Sequence, residues 1–319
     1  MKEKTVLLED SIMIKSLPCT AGSKMLSNFL ALFDACVVEK LKKEKFELLP
    51  VALSEFSLED FCGKKTKEVI GSIEGNSLLC NDFSGNVRKF LKEDQTFLYP
   101  TYGRVSRYGL IPSVSSMDRI GILAKSSGDA FKLLEIISGH DSRDGMSVLN
   151  SEYKIPQDAR KLKITKFSES FENTDAVYSI LSAAEFANNI SRYDGIKFGY
   201  RADTFKGLNE LYIKSRSEGL CADAKLKAIL GNIVLSENYY QKYYDKAMRI
   251  RRLIKHKAEN LLKNCDVLEI LNPKNSDFLL SPLTGCPSLT FIKNGVQTIA
   301  IAKQMDEDAL YAYAKEVKI

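Results

Sequence analysis

Short apolar runs, alternating or continuous, recur along the chain in "VLLEDSIMIK" (6–15), "FELLPVAL" (46–53), "SLLCNDF" (77–83), "KLKITKF" (161–167) and "DVLEIL" (266–271). Their length and spacing predict strands. Between them the apolar period changes to three and four residues. Leu30, Phe33, Val37, Val38 and Leu41 predict one helix over 25–45, and 64–73 predicts a weaker one. "SLEDF" (57–61) predicts a helical turn opened by Ser57, with Asp60 three residues on. Ser126 and Asp129 stand in capping-box spacing before an apolar face of Phe131, Leu134 and Ile137, and Gly139 ends that helix. Residues 175–192 and about 223–263 also read as helix. Asn294-Gly295 separates two alternating runs within 287–303, which predicts a β-hairpin, and 306–317 closes as an amphipathic helix. Strands alternating with helices and ending in a hairpin predict an α/β fold, a central mixed sheet flanked by helices. No repeat or low-complexity linker divides the chain, so a single domain over 1–319 is expected.

Composition narrows the partners. The 46 basic and 41 acidic residues are spread along the chain, an excess too mild to imply nucleic acid. "MRIRRLIKHK" (248–257) is the strongest basic strip. Arg249 and Arg252 share one helix face there while Ile250, Leu253 and Ile254 are expected to face inward, so the strip predicts a solvated surface rather than direct contact with nucleic acid. The tyrosines at 239, 240, 243 and 244 form two i, i+4 pairs, which suit helix packing. No apolar run reaches the roughly 18–20 residues that span a bilayer, and the acidic start is unlike a leader peptide, so a cytoplasmic protein is expected. Seven scattered cysteines without a C-x-x-C pair read as reduced thiols, and His140 and His256 lie far apart. Neither metal nor cofactor is expected.

"IMIK" with the stretch to 42, "YPTYGRVSRYGLIPSVSSMDRIGILAKSSGDAFKLLEIISGHDSRD" (99–144), "ISRYDGIKFGYR" (190–201), "SRSEGL" (215–220) and "LGNIVLSENYYQKYYDKAMRIRRLI" (230–254) are long and collinear. In these stretches the chain resembles the amidase-signature family, in particular the glutamine-hydrolysing A subunits of tRNA-dependent amidotransferases. The resemblance implies a serine nucleophile, a second, bridging serine and a lysine base, acting on an amide, with glutamine as substrate. It implies subunits B and C as partners. A serine hydroxyl needs such a base to become a useful nucleophile, and glycine backbone beside it supplies N–H donors to the oxyanion.

Carried over residue by residue, the pattern is incomplete. Lys15 falls on the lysine, followed by Ser16 where the family usually has Asp. The loop D-T-G-G-S-I-R corresponds to Asp82-Phe83-Ser84-Gly85-Asn86-Val87-Arg88, which puts Asn86 at the nucleophile and Ser84 and Gly85 in the oxyanion segment. A carboxamide cannot form the acyl-enzyme. The Gly/Ser-rich segment with the bridging serine would fall near 61–66, where the chain reads "FCGKKT", with Cys62 near the bridging place. The family's K-R-R-I stretch, with its carboxylate-gripping arginine, corresponds to Lys225-Leu226-Lys227-Ala228. Asp277 matches an acidic position for the substrate amine and Tyr193 a pocket-lining one. The N-terminal helical segment that precedes the lysine strand in the family has no counterpart. A shortened, catalytically inactive paralogue that keeps a scaffold or subunit-binding role is therefore expected. The alternative is an amidase rebuilt around Lys15 with Cys62, Cys80 or Ser84 as nucleophile.

Overall fold

The computed structural model describes residues 5–58, 64–73, 77–158 and 160–319. In chain order its main elements are β1 (Thr5–Glu9), α1 (Cys36–Lys43), β2 (Glu47–Val51), α2 (Lys64–Ser72), β3 (Ser77–Asn81), α3 (Asn86–Lys89), β4 (Thr96–Tyr99), β5 (Ile120–Ala124), α4 (Ser127–Ile137), β6 (Ile164–Lys166) and α5 (Thr174–Ile190). They continue with α6 (Gly207–Gly219), α7 (Ala222–Leu235), α8 (Lys246–Lys263), β7 (Val267–Leu271), β8 (Ser288–Lys293), β9 (Val296–Ala302) and α9 (Glu307–Val317).

Among the described residues all nine strands join one sheet in the order β2-β1-β3-β5-β4-β8-β9-β7-β6. β1 pairs in parallel with both β2 and β3, β6 with β7, and the remaining pairs are antiparallel. The sheet is mixed, as expected. Its pleat sends alternate side chains to two faces. Val6, Leu8, Leu98 and Leu289 meet Val38 and Leu41 of α1, Phe131 and Leu134 of α4, and Leu310 and Tyr313 of α9. Leu78, Cys80, Phe97 and Tyr99 lie on the other face with Ile70 of α2 and Val87 of α3. A third apolar group joins α5, α7 and α8 to Phe56 and Phe83, next to the loop that follows β3.

Local chemistry explains which expected elements hold. Ser126 accepts from the Asp129 N–H and opens α4, and Gly139 beyond its end has φ 120°. Asn294 and Gly295 both take positive φ between β8 and β9, the conformation of a two-residue hairpin turn. The rings of Tyr239 and Tyr243 pair at 5.7 Å and those of Tyr240 and Tyr244 at 5.1 Å. β4, β5 and α6 were not anticipated from the pattern.

Three expected elements are shorter than predicted. The helix expected over 25–45 is confined to Cys36–Lys43, with a 3-10 turn at Lys24–Leu26. In between, Cys19 donates to the Phe29 carbonyl and Ala31 to that of Leu17, so backbone pairing takes the groups a helix would use. The strand expected over 6–15 ends at Glu9, where Ile12 N–H turns back to the Glu9 carbonyl. The helix expected over 223–263 breaks at Ser236, which is extended (φ −71°, ψ 154°) and donates its hydroxyl to the Ile233 carbonyl. A π-helical stretch at Tyr240–Asp245 then leads into α8. On α8, Ile254 is buried but Leu253 is 65% exposed, contrary to its expected inward place. Arg251 instead turns in, donating to the Leu283 carbonyl and Ser116. Among the described residues no helix is long and apolar enough to cross a membrane.

Candidate active site

β3 delivers Asn81 and Asp82 to the end of the sheet, and the loop from Asp82 to Asn86 turns there into α3. Asp82 locks this turn. One carboxylate oxygen accepts from the Val87 N–H at 2.9 Å, and the other accepts from Arg88 Nε at 2.7 Å and Arg88 N at 3.3 Å. Arg88 is fully buried, with its guanidinium 4.6 Å from the Tyr99 ring centroid. Gly85 takes φ 77°, and a Cβ there would lie 2.7 Å from Phe278 Cβ. Backbone conformation and close approach therefore both demand glycine.

The other loop side chains are tied to the segment 54–58. Asn86 Nδ2 donates to the Leu58 carbonyl at 2.7 Å and Ser84 Oγ to the Ser57 carbonyl at 3.2 Å, and both residues are buried. Phe83 is fully buried with its ring 6.4 Å from that of Tyr178. Phe56 and Ser57 both take positive φ, at 49° and 56°. Such left-handed non-glycine residues cost on the order of 1–3 kcal/mol each and persist only where the surroundings hold them. Here the Phe56 N–H donates to the Ala21 carbonyl at 2.7 Å, and its ring stacks on Tyr193.

Glu9 binds these parts together. It ends β1 and is 1% exposed. Its two oxygens accept from Ser57 Oγ and from the Asn81 N–H, each at 2.7 Å. Burial raises its pKa to about 8, opposed by the Asn81 and Ser57 hydrogen bonds and reinforced by the charge of Asp10. At neutral pH the group is mostly a protonated acid.

The structure does not bring Lys15 to this loop. Lys15 lies beyond β1, exposed, with its backbone N–H on Asp34 Oδ1 at 2.8 Å, and Asp34 also holds Lys42. The strand-end residue that reaches the loop is the acid Glu9. Asp277 is buried and a carboxylate oxygen accepts from the Lys274 N–H at 2.7 Å, capping its own 3-10 turn, while burial raises its pKa. Its neighbour Phe278, rather than Asp277, is what the structure presses onto Gly85. Tyr193 stacks on Phe56 with centroids 5.9 Å apart and lines a cavity of about 630 Å³. Leu226 is 60% exposed, and Lys227 Nζ sits 4.9 Å from the Tyr178 ring. Cys80 is fully buried with its thiol pKa pushed far up, chiefly by burial, so it is an inert core thiol. Cys62, with Phe61 and Gly63 of "FCGKKT", lies outside the described residues. Among the described residues no cluster of His, Cys, Asp or Glu could hold a metal.

A family profile described as Amidase matches residues 97–169 and 158–305, more than half of the chain. The chain belongs to the amidase family. Similar amidase-family proteins include the glutamyl-tRNA(Gln) amidotransferase A subunit of Latilactobacillus sakei, 30% identical with 92% of this chain and 72% of that protein covered. The Campylobacter lari A subunit is 32% identical, with 82% and 71% covered, and that of Lachnoclostridium phytofermentans is 31% identical, with 82% and 66% covered. The chain thus spans about two thirds of the length of such relatives. Among solved structures, the glutamyl-tRNA(Gln) amidotransferase A subunit from Thermotoga maritima superposes with a TM-score of 0.66 at 21% identity, covering 98% of this chain and 83% of that one. An amidase family protein from Bacillus anthracis gives 0.70 at 20%, covering 98% and 77%. These superpositions establish the fold, an amidase-family sheet flanked by helices.

On this amidase scaffold, the residues missed by reasoning from sequence are Glu9 and Ser57. The signal was present as "VLLED": Val6 and Leu8 alternate inward on one face, so Glu9 falls on the face of Leu7 and points where the β3 loop lies.

Proposed function

We propose that this chain is a catalytically inactive relative of the A subunits, one that retains the amidase scaffold as a binding partner for amidotransferase subunits B and C. The observation that carries this is the Asn86 carboxamide, which the resemblance sets at the nucleophile's position and which donates to the Leu58 carbonyl at 2.7 Å. The amide has no ionisable hydroxyl to attack glutamine, and its hydrogen bond closes the loop onto residues 57–58. Losing the nucleophile alone costs a serine hydrolase about 10⁶ in rate, or roughly 8 kcal/mol. Glu9 is mostly protonated at neutral pH, and Lys15, the base that the resemblance implies, is exposed beside Asp34.

The long collinear match to A subunits supports shared partners, and a cytoplasmic location would accord with them. Mixed with subunits B and C at micromolar concentrations, the chain is expected to co-elute with them on size exclusion. Separate elution of all three would remove the scaffold role.

A rebuilt amidase is the second reading. Its versions using Lys15 with Cys80 or Ser84 find little support, because Lys15 is exposed beside Asp34, Cys80 is sealed in the core and Ser84 is bound to a carbonyl. One observation does favour it: Ser57 Oγ lies 2.7 Å from Glu9, a hydroxyl and a carboxyl in hydrogen-bond contact.

A further inference from the structure

A cavity of about 630 Å³ lies beside Tyr193, which the resemblance makes a pocket-lining residue. Its volume is that of a small-molecule site. Met13, Met25, Leu26, Phe29, Ile111 and Phe198 supply apolar walls. The polar residues of the lining are Arg192, Lys197, Asn28 and Tyr193, with no carboxylate among them.

Each of these groups is available to a ligand. The Tyr193 hydroxyl has no hydrogen-bond partner among the described residues, and burial raises its pKa, which keeps its proton in place as a donor. Arg192 is anchored on its own helix end through Nε to the Asn189 carbonyl at 2.7 Å and Nη2 to Asn189 Oδ1 at 3.2 Å, which leaves Nη1 free of protein acceptors among the described residues. The nearby acid Asp194 accepts from the N–H groups of Ile196 and Lys197. Two cations and a phenol in the lining of a largely apolar cavity, with the local acid engaged elsewhere, fit a ligand with one anionic head and an apolar body.

We propose that this cavity binds a small apolar monocarboxylate, its chain against Met13, Met25 and Phe29 and its carboxylate accepting from Tyr193 Oη with Arg192 and Lys197 as counter-charges. Tyr193 stacks on the ring of Phe56, whose backbone leads into Ser57. Such binding calls for no nucleophile.

Titration calorimetry with octanoate, octanol and octylamine tests this on the whole chain. One saturable site is expected, with octanoate bound at least about tenfold more tightly than octylamine, the difference a charged hydrogen bond supplies. Tyr193→Phe keeps the ring stack and should weaken octanoate about tenfold while leaving octanol unchanged. Met13→Trp, which fills the chamber, should abolish binding of both. No saturable octanoate binding, equal affinity for octanoate and octylamine, or binding untouched by Met13→Trp would overturn the assignment.

Discussion

Asp82→Ala is expected to lower the unfolding free energy by about 3–5 kcal/mol, the scale for removing one partner of a buried ion pair. Arg88 is fully buried, and Asp82 is the carboxylate that meets its guanidinium. Without it the guanidinium keeps only its hydrogen bond to the Asp82 carbonyl and the neighbouring rings of Tyr99, Phe97 and Phe278. The same substitution frees the Val87 and Arg88 N–H groups that Asp82 caps at the start of α3. Urea unfolding monitored by far-ultraviolet circular dichroism gives the difference. An internal contrast is Asp129→Ala, whose partner Lys132 is exposed, and which should cost no more than about 1 kcal/mol from that pair. A loss at Asp82 no larger than at Asp129 would mean that the loop is not held by its buried pair.

Stability should also fall as pH rises, because of Glu9. Its carboxyl has a pKa of about 8 in the folded chain, against 4.5 as the ordinary value. Between these two values the folded state binds the extra proton, so raising the pH favours unfolding across that window and the cost is complete above about pH 8. At 1.36 kcal/mol per pKa unit the full effect is on the order of 5 kcal/mol. Glu9→Gln keeps the shape and cannot ionise. Its unfolding free energy should equal that of the parent near pH 4.5 and exceed it by a few kcal/mol near pH 8.5, by roughly that linkage amount. Parallel pH profiles for the two proteins would show that Glu9 does not carry its proton into the folded state.

Most of the layered fold was legible because strands and helices announce themselves by apolar period and by short-range chemistry such as Asn294-Gly295 and the Ser126 cap. The failures share a cause. At 25–35, and again at Ser236, backbone and hydroxyl hydrogen bonds to particular carbonyls override a favourable helical spacing. β5 is a continuous buried run, "IGILA", without the alternation that marks a half-exposed strand.

The site was legible where it is local. Asp82 to Arg88 are contiguous in sequence, so a turn between β3 and α3 could be read from that one stretch. The acid beside the loop was not legible, because its position depends on where β1 stops. A strand read through to Lys15 carries the lysine; a strand that ends at Glu9 delivers an acid to the same loop and leaves Lys15 with Asp34 at the surface. Ser57 was hidden for a similar reason. Its place opposite Glu9 comes from two consecutive left-handed residues, Phe56 and Ser57, a conformation that neither residue type favours.

The proposal that this amidase scaffold carries no working glutaminase is tested by ammonia release from glutamine by the purified chain, alone and with subunits B and C, beside Lys15→Ala and Ser57→Ala. The same background release is expected from all three proteins. Turnover above background that disappears in Ser57→Ala or Lys15→Ala would contradict it, and the variant that silences the reaction would identify the group around which the site was rebuilt.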